Sequence, residues 1–373
     1  MTWAKIATFI VAIGLIVGGA VWAYQFFEAP EHIDPITTKW ESSGHADTSS
    51  ESFVHWDEDD PPEIPTYCAK CHSLYGYLDY LGVDGSTVQQ VDEAAKTGSV
   101  LYCRTCHSSD AYGMSSVAFP GGAEVTDRGK ESNCMRCHQG RQSTSMVNEA
   151  LAGLEPDAVS EDLSFINVHY AIGAATRNGS DVSVGYQYDG LVYAGRYPHV
   201  EDFDTCIECH DPHSTDIDPA SCEPCHSNVV NYGDLFAIRE STVDYDGDGD
   251  TDEGIMQELN AFHDVLYDAI QTYAVEVAGT AIVYADSFPY WFIDTNGDGR
   301  ANGDEVNFGN QYASWTPRLV RATYNYHYYP EDPGAFTHNA RYVLQLLHDA
   351  AADLGEQVEV DLGSFTRPEP YDL

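Results

Sequence analysis

The chain has 373 residues, 60 of them Asp or Glu against 17 Lys or Arg, for a formal net charge of −43. So acidic a surface repels nucleic-acid phosphate and anionic lipid headgroups, which argues against both as partners. It also opposes close self-association unless cations or apolar contacts intervene.

Residues Ile6 to Phe27 carry no charge, and Lys5 is the basic residue ahead of them. That run is long enough to span a bilayer. It also reads as a long signal peptide cut after Val21-Trp22-Ala23. Residues 1–23 are therefore expected to be a signal peptide or membrane anchor, and membrane contact is expected only through this segment if it is uncleaved. Either reading puts the remainder outside the cytoplasm, secreted, at the cell surface or in the periplasm. Residues 24–62, rich in Glu, Asp, Ser and Pro, read as an acidic tether in which His32 and His45 are solvated.

Between 63 and 233 come five copies of Cys-x-x-Cys-His: Cys68/Cys71/His72, Cys103/Cys106/His107, Cys134/Cys137/His138, Cys206/Cys209/His210 and Cys222/Cys225/His226. In this pattern two thiols add to the vinyl groups of one haem and the adjoining His takes the iron. All ten cysteines are used, leaving none for a disulfide or a thiolate nucleophile. Zinc would share thiolates in fours, which five pairs do not allow, and gives no reason for the recurrent His. Five covalently bound haem c groups are expected. Little sustained periodicity runs through this stretch. The expected fold class is a multihaem cytochrome c, mostly coil and short α-helices wrapped round a stacked haem chain, with a small β-hairpin and two longer C-terminal helices. The hairpin is placed at 185–193, around an Asp189-Gly190 turn. Asn178-Gly-Ser180 is a three-residue glycosylation signal.

Residues 234–310 read as an insertion of loops and a helix, and 311–373 as a helical segment that supplies a further haem ligand. Helical spacing of Ile255, Leu259, Phe262, Leu266, Ile270 and Tyr273 predicts a helix over 254–274, and a second is expected over about 336–354. Asp294, Asn296, Asp298, Arg300, Asn302 and Glu305 fall at positions 1, 3, 5, 7, 9 and 12 of an EF-hand loop, with Gly299 at the turn. Asp244, Asp246, Asp248, Asp250 and Asp252 repeat its start, but Ile255 stands at position 12, so Glu253 or Glu258 would have to complete that site. Calcium is expected at the first loop, with a second site at the other, in a structural role.

The distal axial position decides haem function. A second imidazole leaves electron transfer, whereas an open position permits substrate chemistry. Ten His lie outside the motifs. Context selects His213, three residues past His210; His169 and His199, in the long gap before the fourth motif; His338, at the start of the last helix; and His263, on the helix 254–274. His55, His327 and His348 rank below them.

The stretches Phe165-Ile-Asn-Val-His169-Tyr170, Gly185 to Tyr193, His199 with Cys206-Ile-Glu-Cys-His-Asp-Pro-His213, and Asp332-Pro-Gly-Ala-Phe-Thr-His338-Asn resemble a block of bacterial and archaeal multihaem cytochromes. The resemblance covers about half the chain. It implies His169, His199, His213 and His338 as distal ligands, and extracellular electron transfer as the role. Some such proteins stack into filaments, in which a His of one subunit ligates a haem of the next. The partners it implies are other cytochromes, an external electron acceptor or further copies of the chain. A multihaem reductase of nitrite or hydroxylamine type, with one open haem, is the alternative; the Cys-x-x-Cys-Lys attachment of one such family is absent.

Overall fold

The computed structural model describes residues 33–370 apart from 202; the uncharged run 6–27 and His32 lie outside them. Among the described residues, no helix is long and apolar enough to cross a membrane. The described chain is mostly helix and coil with small two-stranded sheets.

Short helices carry the first four motifs: α1 (Thr66–His72), α2 (Cys103–His107), α3 (Ser132–Cys137) and α4 (Cys206–Cys209). Cysteines three apart on a helical turn point the same way, as double attachment requires. The fifth motif departs from this pattern. Cys222 to Cys225 form a run of turns, in which Pro224 has no N–H to give to a helix. Cys225 N and His226 N both donate to Cys222 O, at 3.2 and 2.9 Å, so one turn is closed and does not continue.

The apolar core lies towards the C-terminus. Helices α5 (Ile255–Glu276), α6 (Pro317–Tyr328) and α7 (Ala340–Leu354) pack on one another. Along α5, Leu259, Phe262, Leu266, Ile270 and Tyr273 are fully buried at helical spacing. Each such Leu or Phe contributes roughly 1.5–3 kcal/mol. Thr316 caps α6 by accepting from Leu319 N at 3.1 Å, with Pro317 at the first helical position. The second helix expected over 336–354 is interrupted. Asn339, in extended backbone, caps α7 through Tyr342 N at 3.2 Å and donates to Gly195 O at 3.0 Å, leaving Ala335–His338 as a separate turn. Strands β1 (Ile282–Tyr284) and β2 (Trp291–Ile293) pair antiparallel, Ile282 opposite Ile293, and β1 lies on α5.

The hairpin expected at 185–193 does not form. Its turn is present, with Gly190 at φ +82°, but its flanks are not paired strands. Their N–H groups go to side chains instead: Tyr186 N to Asn325 Oδ1, Gln187 N to Thr144 Oγ1, Tyr188 N to the Tyr193 hydroxyl. Side chains of α6, of Thr144 and of the loop itself thus take hydrogen bonds that a ladder would have used. Asn178 is fully buried and donates to Ala174 O at 2.8 Å, so it offers no glycosylation surface.

The acidic segment expected as a tether carries helices at Ile33–Glu41 and Glu51–Val54 and packs on the motifs. Trp40 Nε1 donates to Leu101 O at 2.9 Å, Leu101 N donates to His45 O at 3.1 Å, Lys39 pairs with Asp211, and Phe53 is buried. Three large aromatic residues, Trp40, Phe53 and Trp56, are what this segment buries or packs, in spite of its overall polarity.

Candidate functional site: five opposed histidine pairs

Each motif His faces one other imidazole. Ring centres are 5.8 Å apart for His72 and His169, 6.2 Å for His107 and His213, 6.2 Å for His138 and His45, 6.3 Å for His210 and His338, and 6.3 Å for His226 and His199. A metal bonded at roughly 2 Å to one nitrogen of each of two opposed imidazoles holds their centres about 6 Å apart. The five separations therefore fit a shared metal at each motif, and the paired thiols beside each fit covalent haem.

The attachment thiols are not all enclosed, as a chain wrapped evenly round its haems would have them. Cys68, Cys71, Cys134, Cys137, Cys206, Cys209 and Cys222 are half-buried, whereas Cys103, Cys106 and Cys225 are exposed. Cys225 is exposed at the one motif that is not helical. Its neighbours Glu223 and Pro224 are exposed with it, because the turn that replaces a helix at this motif lies on the surface of the chain. Cys222 and Cys225 still sit one turn apart with His226 opposite His199, so the set fits a haem whose Cys225 edge faces solvent.

The Nδ1 atom of every motif His is engaged by the chain, which leaves Nε2 for the facing ring. His72 Nδ1 lies 2.8 Å from Ser52 O, His107 Nδ1 2.8 Å from the Tyr112 hydroxyl, and His138 Nδ1 2.8 Å from Ala171 O. His210 Nδ1 lies 3.0 Å from Thr215 O and His226 Nδ1 3.5 Å from Glu240 Oε1. Two of these acceptors and one facing ring sit on left-handed backbone at residues other than glycine: Ala171 at φ +54°, Thr215 at +67° and His169 at +79°. Such conformations cost of order 1–3 kcal/mol and persist where surrounding structure holds them. Here they aim one ring and two carbonyl acceptors.

Burial, assisted by His138, lowers His45 to about 4; burial, then Arg141, His72 and His327, lowers His169 to about 3. Burial likewise lowers His72 and His138. Neutral imidazole is the form that binds a metal. His338 differs. Burial opposes its protonation, but the Asp332 carboxylate at 2.8 Å from Nδ1 more than offsets this and raises it. Its ring is gripped between two glycines, since a Cβ on Gly173 would lie 2.8 Å from Cε1 and one on Gly334 2.7 Å from it. The backbone can come this close only without a side chain.

Of the distal candidates read from sequence, His169, His199, His213 and His338 each face a motif His. His263 does not: its ring lies 3.8 Å over Tyr326, and Nε2 is 3.0 Å from Tyr326 O. The ring opposite His138 is His45, which sequence reasoning left in the tether. His327 is buried with Nδ1 at 3.1 Å from the Tyr284 hydroxyl and Nε2 at 2.9 Å from Glu331. His55 bonds Glu51, and His348 bonds Asp349.

The two acidic loops fold alike. Asp294 accepts from Gly297 N and Gly299 N, as Asp244 accepts from Gly247 N and Gly249 N. Asn296 and Asp298 accept from the N–H two residues on, as do Asp246, Asp248 and Asp250. Glu305 is buried and accepts from Thr295 N and Asn302 Nδ2, both at 2.7 Å; Arg300 and Asn302 keep their loop positions. In the other loop, carboxylate oxygens of Asp244, Asp246 and Glu258 lie within 4.8 Å of one another, as do those of Asp246, Asp248 and Glu253. Asp252 closes that loop through its bond to Asp250.

The chain is similar to two proteins of Geobacter sulfurreducens. It is 22% identical to C-type polyheme cytochrome OmcB over 361 residues, 82% of this chain and 46% of that one. It is 22% identical to C-type polyheme cytochrome OmcC over 377 residues, 83% of this chain and 45% of that one. The chain spans about half the length of these curated relatives. No family model matches it, and no solved structure does. Homology at low identity over most of the chain supports a multihaem c-type cytochrome.

Proposed function

We propose that this multihaem c-type cytochrome is an extracytoplasmic electron carrier with five bis-His haems, serving electron transfer to an external acceptor or a partner cytochrome. The observation that carries the reading is the opposition of five motif His to His169, His213, His45, His338 and His199 at 5.8–6.3 Å. When bound, each haem supplies an iron that changes oxidation state without making or breaking substrate bonds. The two thiols of each motif would anchor a haem and the two facing imidazoles would hold its iron, with Nδ1 of the motif imidazole hydrogen-bonded at the first four motifs and set against Glu240 at the fifth. Its net negative charge favours the ferric state, so the potentials are low.

All five facing rings belong to the same chain, so ligation requires no neighbouring copy, and assembly into a filament would rest on surface contacts. The two acidic loops bind calcium in a structural role, Glu305 completing one and Glu253 or Glu258 the other. They neutralise part of the charge around α5, whose Tyr267 hydroxyl and Gln271 Nε2 hold Gly299 O.

Optical and EPR spectra of the ferric holoprotein test the reading. Uniform low-spin signals are expected. A high-spin signal from one iron in five, with nitrite or hydroxylamine binding to it, would favour a reductase instead.

A further inference from the structure

The third motif is packed against the first and the fourth, and against the segment that follows the second. Its helix α3 lies on α1 of the first motif. Beyond α1, Tyr77 donates from its hydroxyl to Asn133 Oδ1 at 3.0 Å. Arg136 of α3 reaches the segment after the second motif, donating to Met114 O at 2.6 Å. Towards the fourth motif, Glu131 at the start of α3 accepts from Cys206 N at 3.4 Å and stands 3.7 Å from the Cys206 thiol. The thiols themselves follow the same scheme, with Cys137 neighbouring Cys71 and Cys134 neighbouring Cys206. The fifth motif adjoins the fourth, through Cys222 near Cys209.

From these contacts we propose that the third attachment site is a branch point, where routes from the first, second and fourth sites meet, in place of a row in motif order. This rests on the five-haem reading above. Arg136 gives the branch point an electrical bias. It is fully buried and donates to the Tyr77 hydroxyl, Asn133 Oδ1 and Met114 O, and no carboxylate pairs with it among the described residues. Tyr77 stays a neutral phenol, since burial drives its pKa upward. A cation left without a counter-charge at low dielectric stabilises added electrons around it. The branch point thereby has a higher potential than a site with the chain's average acidic surroundings, and an electron entering by any arm settles there first.

Iron anomalous diffraction from crystals of the loaded, full-length protein tests the layout. The expected map places three irons next to the third, with the fifth beside the fourth. A third iron with only two neighbours overturns the proposal. Fewer than five irons would instead count against the five-haem reading. Spectroelectrochemistry tests the bias without crystals. A His45→Met change marks the component of the third site by raising its potential. Arg136→Gln is expected to lower the same component more than the rest, while Arg136→Lys, which keeps the charge, leaves it near wild type. An equal shift of all components in Arg136→Gln, or none, overturns the bias.

Discussion

Replacing His45 with Ala separates the five-pair reading from the alternatives most directly. The change removes the ring 6.2 Å from His138 and no other facing ring. His138 keeps its bond to Ala171 O, and the main chain at residue 45 keeps its bond to Leu101 N. Trp40 and Lys39 still tie the segment down, so the fold survives. One iron of five should then lose its second imidazole, and the high-spin share of the ferric EPR and optical spectra should rise from near zero to about one fifth. Added imidazole should return it to low spin. His263→Ala is the matched control, because that ring is stacked on Tyr326 and should leave spin state unchanged. If His45→Ala stays fully low-spin, or His263→Ala produces the high-spin signal, the pairing is refuted.

Gly173→Ala places a Cβ against His338 Cε1, an overpacking that costs about 1–3 kcal/mol, and should turn the fourth site partly high-spin; Gly44→Ala, with nothing within 4 Å, should not. Chelation of calcium should lower the melting temperature. At a hundredfold excess over Kd the bound ion contributes about 2.7 kcal/mol per site, and Glu305→Gln should abolish part of the response. An unchanged melt after chelation would remove calcium from the account. Asp353 is raised to about 6, by burial first, against Arg318 and Arg321. A raised carboxyl stabilises the fold fully below its unfolded pKa of about 3.9, and this contribution is lost as pH rises through about 6. Asp353→Asn should therefore gain on wild type by of order 2 kcal/mol between pH 4 and 7 in denaturant melts; a difference independent of pH would contradict this.

The five Cys-x-x-Cys-His motifs stand out in the sequence because the chemistry of haem attachment would impose their spacing. Their surroundings do not: nothing in the motif announces that Cys225 is exposed while Cys222, three residues earlier, is half-buried. Four of the facing rings could be nominated because His169, His199, His213 and His338 sit in local patterns that a single stretch displays. His45 could not, since its role depends on a segment folding back onto a loop far along the chain. A partial signal was present: Trp40, Phe53 and Trp56 are out of place in a solvated linker. His263 misled for the opposite reason. It follows Phe262 on an amphipathic helix, and nothing local distinguishes a ligand from a ring stacked on tyrosine. The hairpin at 185–193 had the right turn, but Asn325 and Thr144, distant in sequence, compete for its backbone. The interruption at Asn339 was equally hidden, because its second partner is Gly195 O.

His45 leaves the ribosome and any export channel well before its partner His138, and it belongs to a segment that also receives His72 through Ser52 O and holds Asp211 through Lys39. That segment can clasp fully only after the chain as far as Asp211 has emerged, and, on the five-haem reading, it would close over motifs that are already loaded. Clasping is thus a late, checkable step in maturation. A protease acting on chains whose segment has not yet clasped would cut near Trp40 and Phe53, which the folded chain packs away, while the segment's exposed stretches stay open in both.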